Sequence, residues 1–193
     1  MIAKALRSSL IVLALGACLQ VQADYEDGLD AAQNGDFATA LREFRAAAEE
    51  GLDLAQYNLA ILYFTGQGVE QDYVEAFKWT KAAAEQGHTN AQFNLGALYY
   101  TGSGTAVNLE QALQWYSYAA QAQHAVAQYN LATMYEQGEG TEPDLVQAYF
   151  WANASQYNEY AEATILLQAL AAKMSPEQLT AARGAFARWL LEQ

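Results

Sequence analysis

The side chains that could do chemistry in this chain recur at a fixed spacing. His88 and His124 are its two histidines, and they lie 36 residues apart. The sequence has no Gly-x-Ser-x-Gly, Ser-x-x-Lys or His-Glu-x-x-His motif that would place a nucleophile or a metal beside a base. Histidines one repeat apart are also too distant to share a metal ion without further ligands. We therefore predict no catalytic residue, no metal and no cofactor, and we expect both histidines to be ordinary surface residues.

Three asparagines recur at the same spacing, each directly before a leucine: Asn58, Asn94 and Asn130. On a helix, each lies about 100° around the axis from that leucine, so it is neither fully buried nor on the outer face. Amide groups offer both donors and acceptors to an extended peptide. The predicted protein-binding strip consists of these asparagines with Thr65, Thr101 and Gln137. In the alternative interpretation, each amide satisfies backbone groups between units.

The segments around the asparagines repeat as well. Ala-Gln-Tyr-Asn-Leu-Ala at Ala55 returns as Ala-Gln-Phe-Asn-Leu-Gly at Ala91 and as Ala-Gln-Tyr-Asn-Leu-Ala at Ala127. Tryptophans and pairs of glycines follow the same 36-residue step. A period of this length is typical of stacked helical repeats, which bury their repeated positions and offer an extended binding surface.

Each unit predicts two helices. In the first helix, the stripe containing Leu59 and the nearly opposite stripe containing Tyr57 are both apolar, so the helix must be sandwiched between neighbours. We expect Tyr57 and its equivalents Phe93 and Tyr129 to pack rather than to form a platform for a ligand. The second helix begins after Asp72, with Trp79 on its inner stripe.

Glycine pairs separate the two helices of a unit. Gly66 and Gly68 can adopt positive φ, which ends the first helix and turns the chain. Asp72 with Glu75 then forms a capping-box pattern, which recurs in the next two units. A phosphate-binding loop is excluded because neither a preceding strand nor a following lysine is predicted.

The repeated pattern Ala-x-x-x-Leu-Gly/Ala-x-x-Tyr-x-x-Gly-x-Gly, followed by Asp/Asn-x-x-x-Ala-x-x-Trp and Ala-Ala, resembles the Sel1-like repeat family, a branch of the tetratricopeptide superfamily. Full units span 52–87, 88–123 and 124–159. The first unit departs from the pattern, because Glu43 stands at the tryptophan position and a short Asn-Gly-Asp turn replaces the glycine loop. The resemblance implies an all-α, right-handed superhelix of about five helix pairs.

The chain beyond the repeats predicts a terminal cap. Residues 159–173 are predicted to form a divergent helix. Ser175, followed by proline and glutamate, is predicted to start another. Phe186, Trp189 and Leu190 are expected to cover the last repeat. The predicted domains are a signal peptide over 1–23, a repeat solenoid over 24–157 and capping helices over 158–193.

The N-terminal residues predict an export signal. Lys4 and Arg7 precede a short apolar run, and Val21 and Ala23 suit cleavage after Ala23. Alternatively, Leu-Gly-Ala before Cys18 resembles a lipobox, which would attach the protein to a membrane. We predict a periplasmic protein of a Gram-negative bacterium, with an outer-membrane lipoprotein as the alternative.

The chain is strongly acidic. Its formal net charge is −13, and removal of Lys4 and Arg7 with the signal peptide would make it −15. Eight acidic residues and no basic residue lie between Lys81 and Lys173. This excludes nucleic acid as a partner. The charge serves either solubility or the selection of a cationic partner.

The resemblance implies protein–protein interaction, and among exported bacterial members it implies envelope adaptors or regulators. Related tetratricopeptide clamps hold a peptide's terminal carboxylate with basic residues, but no first helix of the three full units carries one. We therefore predict an envelope adaptor that binds another protein. The alternatives are a hydrolase such as the β-lactamase-like members of the family, and an outer-membrane lipoprotein assembly component.

Overall fold

The computed structural model describes residues 20–192, and every regular element in that range is helical. The helices are α1 (residues 20–33 as described), α2 (Phe37–Glu49), α3 (Asp53–Thr65), α4 (Tyr73–Glu85), α5 (Thr89–Thr101), α6 (Leu109–Gln121), α7 (Ala125–Gln137), α8 (Leu145–Tyr157), α9 (Ala163–Lys173) and α10 (Pro176–Leu190). The first eight form four consecutive pairs, and α9 and α10 both pack on α8, which confirms the predicted all-α repeat solenoid. None of these described helices is both long and apolar enough to cross a bilayer.

The chain divides after His88 into two compact units. Unit 1 contains α1 to α4, and Phe44 and Leu59 lie at the centre of its core. The ring of Phe44 packs so closely on Gly28 that any side chain at residue 28 would collide with it. Tyr25 is also buried in this core, with its ring 5.8 Å from that of Phe44. The contacts of Gly28 and Tyr25 join α1 to α2.

Unit 2 contains α5 to α10 and has two adjoining cores. One is centred on Leu131, Met134 and Tyr116, and the other on Leu167 and Leu170. Successive helices pack against each other from α5 to α9, and α10 returns to pack against α8. The unit therefore combines two repeats with the C-terminal helix pair.

The repeated leucine of each first helix forms the centre of each repeat. Leu59, Leu95 and Leu131 are all 0% exposed. The opposite stripe is only partly covered, since Phe64 in α3 remains 44% exposed and Tyr100 in α5 remains 38% exposed. The predicted burial of the leucine stripe is confirmed, and the second apolar stripe of these helices stays accessible in part.

The glycine pairs end the first helices as predicted. Gly66 caps α3 in the left-handed region, with φ of 73°, and Gly68 has the same φ. Gly68 also lies directly against the backbone carbonyl of Phe37 in the preceding pair, so that a Cβ atom could not fit. In unit 2, Gly140 meets the carbonyl of Leu109 in the same way. These two loops therefore rest on the start of the previous second helix.

The predicted N-caps are present, but the reciprocal capping box is not formed at every helix. The carboxylate of Asp72 accepts from the backbone N–H groups of Val74 and Glu75. The Glu75 side chain turns outward instead, where it accepts from Lys78 and from the indole of Trp79. The reciprocal box is complete at the start of α10, between Ser175 and Gln178.

The C-terminal helices contact the last repeat through aromatic rings. Phe186 and Trp189 in α10 both pack on Phe150 and Tyr157 in α8, with ring centroids 6.1 to 6.4 Å apart. The α9 helix begins at Ala163, four residues later than the sequence indicates. The delay arises because Glu159, with φ of 65°, turns the chain after α8.

Candidate protein-binding site

The first asparagine of the predicted strip forms a hydrogen bond within unit 1. Asn58 is half-buried in α3, and its amide donates to the hydroxyl of Tyr25 at 3.2 Å. This partner is a side chain of α1 rather than a backbone group. An asparagine amide has two donors and an acceptor oxygen, so this single bond leaves capacity for a ligand.

Asn94 and Asn130 lie on α5 and α7 of unit 2, and both are half-buried. The Asn130 side chain lies beside the hydroxyl of Tyr116 in α6. Asn130 lines an open cleft of about 220 Å³ with Tyr100, Tyr116, Thr133 and Met134. We call this the α5–α7 cleft. The structure thus places one residue of the predicted strip in a concave site.

The other three predicted residues lie at the ends of the first helices. Thr65 and Thr101 are exposed, and their hydroxyls donate to the carbonyls of Ile61 and Ala97 at 2.8 and 2.9 Å. Gln137 is also exposed at the end of α7. The bonds of Thr65 and Thr101 leave the lone pairs of their hydroxyls able to accept from a partner. Cys18, the predicted lipidation residue, lies outside the described residues.

The histidines pack against the aromatic residues next to the asparagines. His88 stacks on Tyr57 with ring centroids 4.4 Å apart, and His124 stacks on Phe93 at 4.5 Å. Tyr160 occupies the next equivalent position and meets Tyr129 edge-on at 5.2 Å. The expected packing role of these aromatic residues is confirmed by the three pairs.

His124 is more than an ordinary surface residue, which corrects the expectation from sequence. It is the N-cap of α7, where its Nδ1 accepts from the backbone N–H of Ala127 at 3.1 Å. Burial lowers the pKa of His124, and burial also lowers the pKa of His88. Within residues 20–192, no group of three histidine, cysteine or acidic side chains could hold a metal ion.

One repeat departs from the others beside the α5–α7 cleft. Gly96 in α5 faces Tyr116 in α6 so closely that a Cβ atom on Gly96 would lie 2.7 Å from the ring. The matching residues are Ala60 and Thr80 one repeat earlier. The repeated motifs do not indicate this site, although Gly96 and Tyr116 both break the 36-residue period and are therefore a signal in the sequence.

Tyrosine hydroxyls and a carboxylate give the cleft its polarity. The Tyr100 hydroxyl donates to the carboxylate of Glu139 at 3.0 Å, and this bond raises the pKa of Tyr100. Burial raises the pKa of Tyr116 to about 12. Both phenols are therefore protonated and neutral at physiological pH. No described residue that lines the cleft carries a positive charge.

A model of the Sel1 repeat matches residues 53–88, 89–124 and 125–155, which is more than half of the chain. The matched boundaries fall within one residue of the starts predicted from the repeated motif. A comparison with curated protein sequences found no significant match.

Two solved structures are similar to this chain. One is a Sel1 repeat protein from Oxalobacter formigenes, with 35% identity and a TM-score of 0.65, which covers 67% of this chain and 54% of that protein. The other is c5321, a protective antigen of uropathogenic Escherichia coli with an SLR fold, with 26% identity and a TM-score of 0.61. That match covers 93% of this chain and 48% of c5321.

The chain spans about half the length of each of these two proteins. The three repeat matches are in register with the helix pairs observed for them. The likeness to two proteins of this type agrees with these matches. Sel1 repeats form scaffolds for protein interaction. The chain belongs to the Sel1 repeat family.

Proposed function

We propose that this protein is an exported adaptor of the bacterial cell envelope that binds another protein through its first helices. The observation that carries the proposal is the partly exposed second stripe of those helices. Phe64 in unit 1 and Tyr100 in unit 2 are large aromatic residues that remain 44% and 38% exposed beside half-buried asparagines. Aromatic anchors with neighbouring amide groups are typical of protein interfaces.

Export is supported by the sequence of the first 23 residues, with its basic start, apolar run and small residues before Asp24. The alternative of lipidation at Cys18 would keep the same scaffold at a membrane surface. Intact mass separates the two forms, because one chain begins at Asp24 and the other at a lipid-modified Cys18.

The binding test is crosslinking of the tagged protein in its native envelope, followed by identification of the captured proteins by mass spectrometry. The test variant carries Asn94→Lys and Asn130→Lys, which place two charged side chains on α5 and α7. The control variant carries Gln121→Lys and Gln147→Lys, which add the same charge at exposed positions of the second helices α6 and α8.

We expect one dominant protein to be captured by the wild type and by the control, and lost with the test variant. Because Asn130 is half-buried beside Tyr116, thermal unfolding must show that the test variant is still folded. Equal capture by both variants would contradict binding through the first helices. Capture of no protein from the envelope would contradict the adaptor role.

A further inference from the structure

The α5–α7 cleft is too small for a whole ligand molecule but suits one side chain. Its volume of about 220 Å³ lies below the roughly 300–1,000 Å³ of ordinary small-molecule pockets. It opens to solvent, so a side chain that projects from the surface of another protein could enter. The chemistry of the walls then indicates which side chain fits.

Aromatic rings and hydrogen-bond acceptors line the cleft. Tyr116 is 4% exposed and supplies a fixed wall, whereas Tyr100 is 38% exposed and can offer more of its ring. The Thr133 hydroxyl already donates to the Asn130 carbonyl at 2.7 Å, so its lone pairs remain able to accept from a ligand. Tyrosine ring faces attract cations, and guanidinium groups most often.

A carboxylate lies within hydrogen-bonding distance of this lining. Glu139 is half-buried, and its two oxygens accept from the Tyr100 hydroxyl at 3.2 and 3.0 Å. Nearby in sequence, Glu136 is neutralised by Lys173 at 2.7 Å. Glu139 has no such cation among the ion pairs of the described residues.

The charge of the surrounding chain favours the same ligand. No lysine or arginine occurs between Lys81 and Lys173, and eight acidic residues lie in that interval. This field would repel a carboxylate or phosphate and attract a cation. An apolar side chain would gain nothing from Glu139 and would cover polar groups without bonding to them.

We propose that the α5–α7 cleft binds an arginine side chain of the partner protein. The guanidinium plane lies against the exposed ring of Tyr100, and the guanidinium donates to the Glu139 carboxylate in a charge-assisted pair. Lysine fits less well because its ammonium is a point charge that cannot stack or bond in two parallel directions. This inference rests on the proposed function, since it names the chemistry that the adaptor recognises.

The test uses three peptides, acetyl-Gly-X-Gly-amide with arginine, lysine or citrulline as X. Citrulline has nearly the shape of arginine without its charge. Binding to the purified protein is followed by ¹H–¹⁵N NMR. We expect the arginine peptide to shift the signals of Asn130, Thr133 and Glu139, and the citrulline peptide to leave them unchanged.

Two variants make the test specific. Glu139→Gln should raise the Kd of the arginine peptide about tenfold, because a bond to a charged group is lost. Glu142→Gln removes the same charge from an exposed residue three positions away and should leave the Kd nearly unchanged. Equal effects of the two variants would indicate attraction by the overall charge and would overturn the cleft as the site.

Equal binding of the citrulline peptide, equal binding of the lysine peptide, or shifts only at other residues would also overturn the proposal. The envelope experiment distinguishes this failure from that of the adaptor role. If capture succeeds and Glu139→Gln does not reduce it, the adaptor role stands and the arginine site falls. If the arginine peptide binds as expected but no envelope protein is captured, the site stands without that role.

Discussion

At the scale of single residues, equivalent positions of successive repeats carry different bonds. The indole of Trp79 in α4 donates to Glu75 at 3.0 Å. One repeat later, the indole nitrogen of Trp115 is buried and has no hydrogen-bond partner in the described structure. Gln111 occupies the position of Glu75 but bonds to Gln114 instead. An unsatisfied buried donor lowers the free energy of unfolding, so an acceptor placed beside the Trp115 indole should stabilise the protein.

We predict that Gln111→Glu stabilises the protein. A carboxylate at residue 111 can accept from the Trp115 indole as Glu75 does from Trp79, and it also lies in the first turn of α6, where the helix dipole favours negative charge. The expected gain is about 1 kcal/mol. Thermal unfolding should show Tm higher by roughly 2–4 °C for a chain of this size.

The control is the same substitution in a Trp115→Phe background. Only the helix-dipole contribution remains there, so the gain should be smaller. An equal gain in both backgrounds would contradict the bond between residues 111 and 115.

His124 predicts a measurable pH dependence. Its Nδ1 must be unprotonated to accept from Ala127, and burial lowers its pKa below the ordinary value. The unfolded protein therefore binds a proton at higher pH than the folded one, and the stability from His124 is present above the unfolded pKa of about 6.5 and is lost as pH falls through the folded pKa. NMR titration of the imidazole should give a pKa below 6.5.

His124→Asn supplies the matched variant, because asparagine is a good N-cap that does not titrate. The free energy of unfolding of this variant should fall less between pH 7 and pH 5 than that of the wild type. A pKa of His124 at or above the unfolded value would contradict the prediction.

At the scale of elements, the glycine loops at Gly68 and Gly140 each contact the preceding helix pair. Gly68 needs its positive φ, and its α-carbon also lies against the carbonyl of Phe37 at the start of α2. Gly35 has a similar φ of 78°, but no atom lies near the place of its missing side chain. Substitutions at these two glycines therefore separate the free-energy cost of a left-handed backbone from the free-energy cost of a steric collision.

We predict that Gly35→Ala costs about 1–2 kcal/mol, the strain of a left-handed alanine. Gly68→Ala should cost clearly more, because the new methyl group must also displace the backbone of Phe37 or the loop itself. Urea denaturation of both variants measures the difference. Equal losses would show that the contact between the loop and α2 contributes little.

Much of the architecture was predictable because the same residues occur three times in one register. The buried leucines, the glycine loops and the N-caps all follow from residue type and period. The cleft was not predictable in this way, since it depends on which residues of α5 and α6 face each other. Gly96 and Tyr116 are twenty residues apart, and the repeat itself offers no comparable pair at the earlier positions. The proximity of Asn130 to Tyr116 could not be predicted for the same reason.

At the scale of the whole molecule, charge is the dominant property. The chain carries 22 acidic and nine basic residues, and each of the four described ion pairs has a solvent-exposed basic partner, so these pairs contribute little stability. Repulsion among the remaining carboxylates destabilises the compact state. This cost should depend on ionic strength, since salt screens charges beyond a distance of about 10 Å at 0.1 M.

We predict that Tm rises as NaCl increases from low millimolar concentration to about 0.3 M, because screening weakens this repulsion. Differential scanning calorimetry at constant pH measures the change. A variant with Glu110→Gln and Glu142→Gln, both at exposed positions, should show a higher Tm at low salt and a smaller rise. A Tm that falls with salt would show that attractive pairs outweigh the repulsion.

If the chain is exported and cleaved after Ala23 as we propose, the placement of Tyr25 constrains the order of events during maturation. Its ring is buried against α2 and its hydroxyl accepts from Asn58, yet it lies two residues after the predicted cleavage point at Ala23. In the folded chain, the bond between Ala23 and Asp24 lies inside α1, and proteases require an extended segment. Removal of the leader would therefore have to precede the docking of α1. If α1 docked first, the cleavage site would be held in a helix, so the rate of cleavage would have to exceed the rate at which unit 1 finishes folding.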